Sequence, residues 1–262
     1  MTRDSYDHGR SYPSTVLSFV SGKGGVGKTI MAINTACEIA PHLDVLLIDF
    51  DLFNCGLTLW FKDSLCAQQE NGLNILTFSE VLSSYDPVDP EHKATLKLAS
   101  IRKLATIPLG KNSGKIHILP CFIPDTRSQE LHHTSMQPGA STLHAPKDLT
   151  ELLLLTVRTL SKKHQCDIVI FDCHPGVVDY SSPCCALSDC SIVVSDFDRS
   201  SLLSGVVFTA LVEKHIKREL TTLISDKTRH WRVIVNRVPS PRQFAECASR
   251  LDDATQLATH PG

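Results

Sequence analysis

Apolar residues are concentrated in six short runs, at 16–20, 45–48, 116–119, 168–171, 192–194 and 233–235. The runs are nearly all apolar instead of alternating, the pattern of strands buried on both faces of a sheet. Helical periodicity fills the intervals. Ile30, Ile33, Cys37 and Ala40 recur at three-to-four spacing after the first run, as do Leu152, Leu155, Val157 and Leu160 before the fourth. Ser200 or Ser201 is placed to cap a helix through Leu203, Val206 and Leu211. Strands alternating with helices predict an α/β fold, a doubly wound and mostly parallel sheet with helices on both faces.

The stretch 61–148 is less regular and reads as an insertion. It predicts one helix over 76–84, a strand ending at Pro120, and a polar surface loop over 132–147. A final helical pattern covers 242–257. Doubly wound sheets commonly continue with another strand at that point, so the end at Gly262 reads as naturally short or truncated. The expected organisation is a polar segment over 1–14 followed by one domain over 15–262.

With 42% hydrophobic and 21% charged residues and a net charge of −2, the 262-residue chain has the balance of a soluble globular protein. The first fifteen residues lack the apolar core of a secretory signal, and no run approaches the roughly 20 apolar residues that cross a bilayer. A cytoplasmic location is expected, so the ten cysteines read as reduced thiols. Cys37, Cys166 and Cys173 fall where small buried residues are expected. Cys184, Cys185 and Cys190 form a tighter group whose spacing matches no established metal-ligand pattern.

The first run leads into Ser21-Gly22-Lys23-Gly24-Gly25-Val26-Gly27-Lys28-Thr29. Gly22, four residues, then Gly27-Lys28-Thr29 completes the phosphate-loop pattern in its required place between strand and helix. Glycines let backbone N–H groups close around phosphate, and the helix N-terminus adds positive potential. Lys28 is the expected contact to the outer phosphates, and the Thr29 hydroxyl an expected Mg²⁺ ligand. The second run delivers Asp49 and Asp51 to the carboxyl end of its strand, the edge where open α/β sheets hold ligands. The fourth delivers Asp172 to the same edge, in the Walker-B arrangement. ATP and Mg²⁺ are the expected cofactors, and a P-loop ATPase the expected activity.

The segment 23–29, with its early lysine, resembles the deviant Walker A loop of the ParA/MinD superfamily. Asp49-Phe50-Asp51 is similar to that family's switch I, and Asp172-Cys173-His174-Pro175-Gly176 to its switch II. Val233-Ile234-Val235-Asn236-Arg237 resembles the strand whose asparagine reads adenine. The resemblance implies that Lys23 reaches ATP on a partner subunit, giving an ATP-dependent homodimer, that Asp51 positions the attacking water, and that Asp49 lies near the metal with Asp172. It places the backbone of Gly24, Gly25, Val26 and Gly27, together with Lys28, Thr29 and Ile30, around the phosphates. Ile30 stands where many members carry threonine or serine, which implies a weaker phosphate contact. Leu52-Phe53-Asn54-Cys55-Gly56 continues switch I without the Pro-Gln of plasmid-partition members and is closer to the MinD-like branch.

The implied function is a slow ATPase switch that positions or partitions DNA or a protein complex with an unidentified activating or cargo protein. Lys214, Lys217, Arg218, Lys227, Arg229, Arg232, Arg237 and Arg242, within 214–242, suggest non-specific DNA as a partner. The C-terminal pattern lacks the basic face of a membrane-surface helix. Alternatives are an iron–sulfur or metal-carrier ATPase, and a regulatory P-loop ATPase without nucleotide-gated dimerisation. A bacterial-type tyrosine kinase fits poorly, because Tyr6, Tyr12, Tyr85 and Tyr180 are scattered.

Overall fold

The computed structural model describes residues 13, 15–86, 89, 93–108, 114–124, 146–221 and 229–236. Seven strands form one sheet: β1 (Thr15–Val20), β2 (Val45–Phe50), β3 (Ala105–Pro108), β4 (Lys115–Leu119), β5 (Ile168–Cys173), β6 (Cys190–Asp196) and β7 (His230–Asn236). Their order is β3-β4-β2-β5-β1-β6-β7, with every pairing parallel except the antiparallel β3–β4 edge. The six apolar runs are the six parallel strands. β3 escaped the sequence pattern because it is four residues long and carries Thr106 and Pro108.

Helices α1 (Lys28–Ile39), α2 (Gly56–Trp60) and α3 (Lys62–Glu70) contribute to the core on one face. The core of the other face is built with α4 (Phe78–Ser84), α5 (Lys93–Ile101), α6 (Pro146–His164), α7 (Val178–Leu187) and α8 (Arg199–His215), the last continuing into a π-helical turn, Ile216–Leu220. Alternation along β2 sends Val45 and Leu47 to the first core and Leu46, Ile48 and Phe50 to the second. In β5, Ile168 and Ile170 join the first core, and Val169, Phe171 and Cys173 the second. The same alternation carries Asp49 and Asp172 to the face covered by α1.

Several expectations change. α8 is capped by Asp198, whose carboxylate accepts the Ser201 N–H at 2.9 Å, so neither Ser200 nor Ser201 is the cap. Asp is as strong an N-cap as Ser and starts the helix two residues before a Ser200 cap would, and three before a Ser201 cap. The 76–84 helix begins at Phe78, where Thr77 and Glu80 form a reciprocal capping box. Pro146 and Lys147, read as the end of a loop, form the first turn of α6, a position that tolerates proline. The rest of that loop, the segment 1–12 and the 242–257 helix lie outside the described residues. Cys37 is exposed on α1, whereas Cys166, Cys173, Cys184 and Cys185 are buried. No helix among the described residues is long and apolar enough to cross a membrane.

Phe50 anchors the strand end that carries Asp49 and Asp51. Its ring is fully buried and meets Phe78 edge-on at 5.2 Å and Phe171 at 6.4 Å. Phe50→Ala is expected to cost about 3–5 kcal/mol, the cost of emptying a packed aromatic site. Urea midpoints test this; a loss below about 1 kcal/mol would show that the strand end is not held by this cluster.

Candidate functional site

The parallel register of β2 and β5 sets Asp49 directly beside Asp172. α1 lies over both strands, and its first residue, Lys28, is buried with its ammonium on Asp172 Oδ1. The Thr29 hydroxyl donates to Asp172 Oδ2 at 2.7 Å. Sequence order, strand alternation and register therefore bring Lys28, Thr29, Asp49 and Asp172 together without any loop having to carry them.

The preceding loop turns through left-handed backbone at Gly25 (φ 78°) and Gly27 (φ 90°), where a side chain would be strained. A Cβ on Gly27 would also lie 2.4 Å from the Asn236 amide nitrogen. That amide donates to the Val26 carbonyl at 3.0 Å, so the last residue of β7 braces the phosphate loop. The segment after β5 closes the other side: Gly176, at φ 72°, donates its N–H to the Ser21 carbonyl at 2.8 Å.

Three carboxylates surround one ammonium in this buried space. Asp49 is fully buried; its Oδ2 accepts the Thr58 N–H at 2.8 Å and hydroxyl at 2.6 Å, and Oδ1 accepts the Asp51 N–H at 3.3 Å. Burial first, then the charge of Asp172, pushes its carboxyl up to about 7. Burial also raises Asp172 against the pull of Lys28 and Thr29. Lys28 is held above its ordinary value because Asp172 and Asp51 outweigh the effect of burial on it. Asp51 goes the other way. Burial alone would raise it, but hydrogen bonds from His174 and Asn54 and the charge of Lys28 hold it below the ordinary carboxylate range.

The candidate site residues thus converge, with two exceptions of degree. Lys23 stands on the outer lip, its side chain 53% exposed and 4.0 Å from the Asp198 carboxylate. Ile30 is exposed on the first turn of α1. Gly24 lies beside switch II, with Pro175 Cγ 3.9 Å from where a Cβ would stand. Val26 is buried under the loop. Sequence reasoning missed the groups that hold Asp51. Asn54 donates its backbone N–H and side-chain amide at 3.1 Å, and His174 Nδ1 lies 2.6 Å from Oδ1. The Asn54 contacts are local, three residues along the chain, whereas the His174 contact joins residues 123 apart in sequence and left no signal in the local pattern.

Away from the loop, Cys184 and Cys185 are wholly buried in α7, and Cys190 opens β6. Among the described residues, these three cysteines belong to no group of three or more His, Cys, Asp or Glu side chains that could hold a metal ion. Of the basic cluster, Lys214, Lys217 and Arg232 are exposed and Arg218 pairs with Glu219, while Arg229 faces Glu213 at 3.4 Å. Lys227, Arg237 and Arg242 lie outside the described residues.

The residues present fit magnesium and a nucleotide phosphate. The loop is a glycine cradle with open space around Gly25, Lys28 supplies a cation, and the hydroxyl and carboxylate oxygens form the hard donor set that Mg²⁺ prefers. Thr29, Asp172 and Asp49 are the groups placed to hold the metal, directly or through water.

Asp49 makes the metal-free protein pH-sensitive. Its folded pKa lies above its unfolded value, so its stabilising contribution is fully present below pH 4 and is lost as pH rises through about 7. Asp49→Asn keeps an acceptor for Thr58 but cannot ionise. Its stability relative to wild type should rise by about 1–3 kcal/mol between pH 5 and pH 8 in chelator, measured as urea midpoints. A gap independent of pH would show that Asp49 titrates normally.

The model of the CobQ/CobB/MinD/ParA nucleotide binding domain matches residues 17–259. No curated protein matches the chain. Among solved structures, a Borrelia burgdorferi B31 protein assigned to plasmid partition and bound to AMPPNP is 17% identical, with TM-score 0.56 over 91% of this chain and 82% of that one. A chain of the MinC:MinD cell division protein complex of Aquifex aeolicus is 19% identical, with TM-score 0.54 over 92% and 78%. The pNOB8 ParA bound to nonspecific DNA is 18% identical, with TM-score 0.55 over 94% and 75%. At these identities the structures speak for the fold, whereas the family model spans nearly the whole chain. The chain belongs to the CobQ/CobB/MinD/ParA family of nucleotide-binding domains, and its early-lysine phosphate loop is that of the deviant Walker A P-loop ATPases.

Proposed function

We propose that this protein is a Mg²⁺-dependent ATPase switch that pairs with a second copy of itself when ATP is bound and separates after hydrolysis. The observation that carries this is the division of labour between two lysines: Lys28 is buried on Asp172, whereas Lys23 is half-exposed at the lip of the same loop. A cation held outside the cradle is poorly placed for its own phosphates and well placed for those of a molecule facing it across a two-fold axis.

Lys28 exchanges Asp172 for phosphate oxygens when nucleotide binds, a charge-assisted contact that anchors the outer phosphates. Thr29 and Asp172 hold the metal, with Asp49 behind them. Mg²⁺, when bound, neutralises charge on the phosphate oxygens. Asp51 orients the attacking water, a role felt in the transition state more than in binding. Gly176, bonded to the Ser21 carbonyl, lets switch II sense whether the terminal phosphate is present.

The cargo belongs to the same proposal. Exposed Lys214, Lys217 and Arg232 support a DNA surface, as does the pNOB8 ParA structure with nonspecific DNA. The MinC:MinD structure supports a protein partner instead. The metal-carrier alternative would rest on Cys184, Cys185 and Cys190, which belong to no group of three or more His, Cys, Asp or Glu side chains among the described residues that could hold a metal ion.

Lys28→Ala should weaken Mg·ATP binding by about 10- to 100-fold, the loss of a charge-assisted phosphate contact, measured by calorimetry. Unchanged affinity would remove Lys28 from the site. In an Asp51→Ala background, which should bind ATP without turnover, light scattering should give a dimer mass with ATP and a monomer with ADP. Adding Lys23→Ala should leave a monomer in both while ATP binding survives. A mass indifferent to nucleotide and to Lys23 would make the chain a P-loop ATPase without nucleotide-gated dimerisation.

A further inference from the structure

Asp51 is the first carboxylate beyond β2, and its two oxygens are loaded unequally. Oδ1 receives the Asn54 backbone N–H and side-chain amide at 3.1 Å each, and lies 2.6 Å from His174 Nδ1. Among the described residues, Oδ2 receives only the same Asn54 amide nitrogen, shared between the two oxygens and also at 3.1 Å. A carboxylate has about four lone-pair directions. Three donors on one oxygen fix the rotation of the group and leave capacity on the other.

The imidazole that completes this arrangement is itself held on several sides. The His174 carbonyl accepts the hydroxyl of Ser181, a buried residue in the first turn of α7, at 3.0 Å. Its ring lies against Phe53, with centroids 4.8 Å apart and planes tilted by 51°. Phe53 in turn meets Tyr180 edge-on at 5.8 Å. Asp51 and Phe53 follow β2; His174 and Tyr180 follow β5. Two side chains from each segment therefore interlock above the carboxylate cluster. Phe53 remains 50% exposed, so its place against His174 is not imposed by a closed core.

We propose that His174 is the positioning residue for Asp51: its Nδ1–H holds Oδ1 so that Oδ2 is presented to the attacking water, and Phe53 holds the ring in place. This rests on the water-positioning role given to Asp51 under the proposed function. The imidazole neither touches the phosphates nor takes the proton; it sets the orientation of the group that meets the water. Because His174 lies two residues after Asp172, movement of switch II changes the aim of Asp51 in the same step. The two switch segments thereby act as one unit.

Single-turnover ATP hydrolysis of the full chain separates this from a packing role. His174→Ala should lower the rate constant about tenfold while the half-saturating Mg·ATP concentration stays within about twofold, because orientation acts on the transition state and not on binding. His174→Asn, whose amide N–H can replace Nδ1–H, should recover most of the rate. Phe53→Ala, an exposed position that tolerates truncation, should lower the rate about threefold, and it carries the test if His174→Ala fails to fold. Melting temperatures, measured for each variant, should lie within a few degrees of wild type. Equal rate losses in the Ala and Asn variants, or a wild-type rate in His174→Ala and Phe53→Ala, would overturn the proposal. Asp51→Ala, run in parallel, separates the two levels. Lost turnover there with normal His174→Ala refutes only the positioning role, whereas normal turnover in Asp51→Ala refutes the water-orienting role and this inference with it.

Discussion

Among the described residues, the Lys28 ammonium is the only cation within a buried group of three carboxylates, and the rest of the site is arranged around that imbalance. Asp49 and Asp172 are brought together by the parallel register of β2 and β5, which the hydrophobic strands enforce whatever the charges prefer. Burying like charges side by side is costly unless they are neutralised or hydrogen-bonded. The structure answers with Lys28 and Thr29 on Asp172, Thr58 on Asp49, and Asn54 and His174 on Asp51. What these contacts leave over is negative charge, the property that favours a divalent cation and, through it, a polyphosphate.

The fold was legible because its strands are buried on both faces. Six nearly all-apolar runs, broken only by the buried Ser18 and His117, named six strands and their parallel arrangement, and the glycine pattern named the phosphate loop. What the sequence hid follows from the same physics. β3 is short and at the sheet edge, so it has no need of a long apolar run. α7 carries Pro183 and a helical pattern blurred by Ser181, Ser182, Cys184 and Cys185, all buried despite being small or polar. In the site, Lys28, Thr29, Asp49, Asp51 and Asp172 could be named because each stands at the end of a recognisable strand or loop. His174 could not, since its role depends on two strand ends meeting across the sheet. Asn54 and Phe53, noted only as departures from a familiar switch I, are the residues that grip Asp51 and His174.

The contacts around the phosphate loop suggest how occupancy is communicated. Asn236 ties β7 to Val26, Gly176 ties switch II to Ser21, and Asp198, which caps α8, faces Lys23. Each contact ends on the loop or on the lysine at its lip. In the proposed switch, these contacts would carry a change in the loop to the sheet edge, to the segment after β5 and to the start of α8. Those are single hydrogen bonds and one exposed ion pair, weak enough individually to exchange when a ligand arrives.

Surplus buried negative charge beneath a phosphate cradle makes one demand above others, that the nucleotide arrive with its metal. Equilibrium binding of a fluorescent ATP analogue with magnesium and with chelator tests this most directly. Affinity should fall by at least about tenfold, or ~1.4 kcal/mol, when magnesium is removed, because the phosphates then face three carboxylates and a single ammonium. Equal affinity in the two conditions would contradict the account, since it would mean that the carboxylate cluster does not govern nucleotide binding.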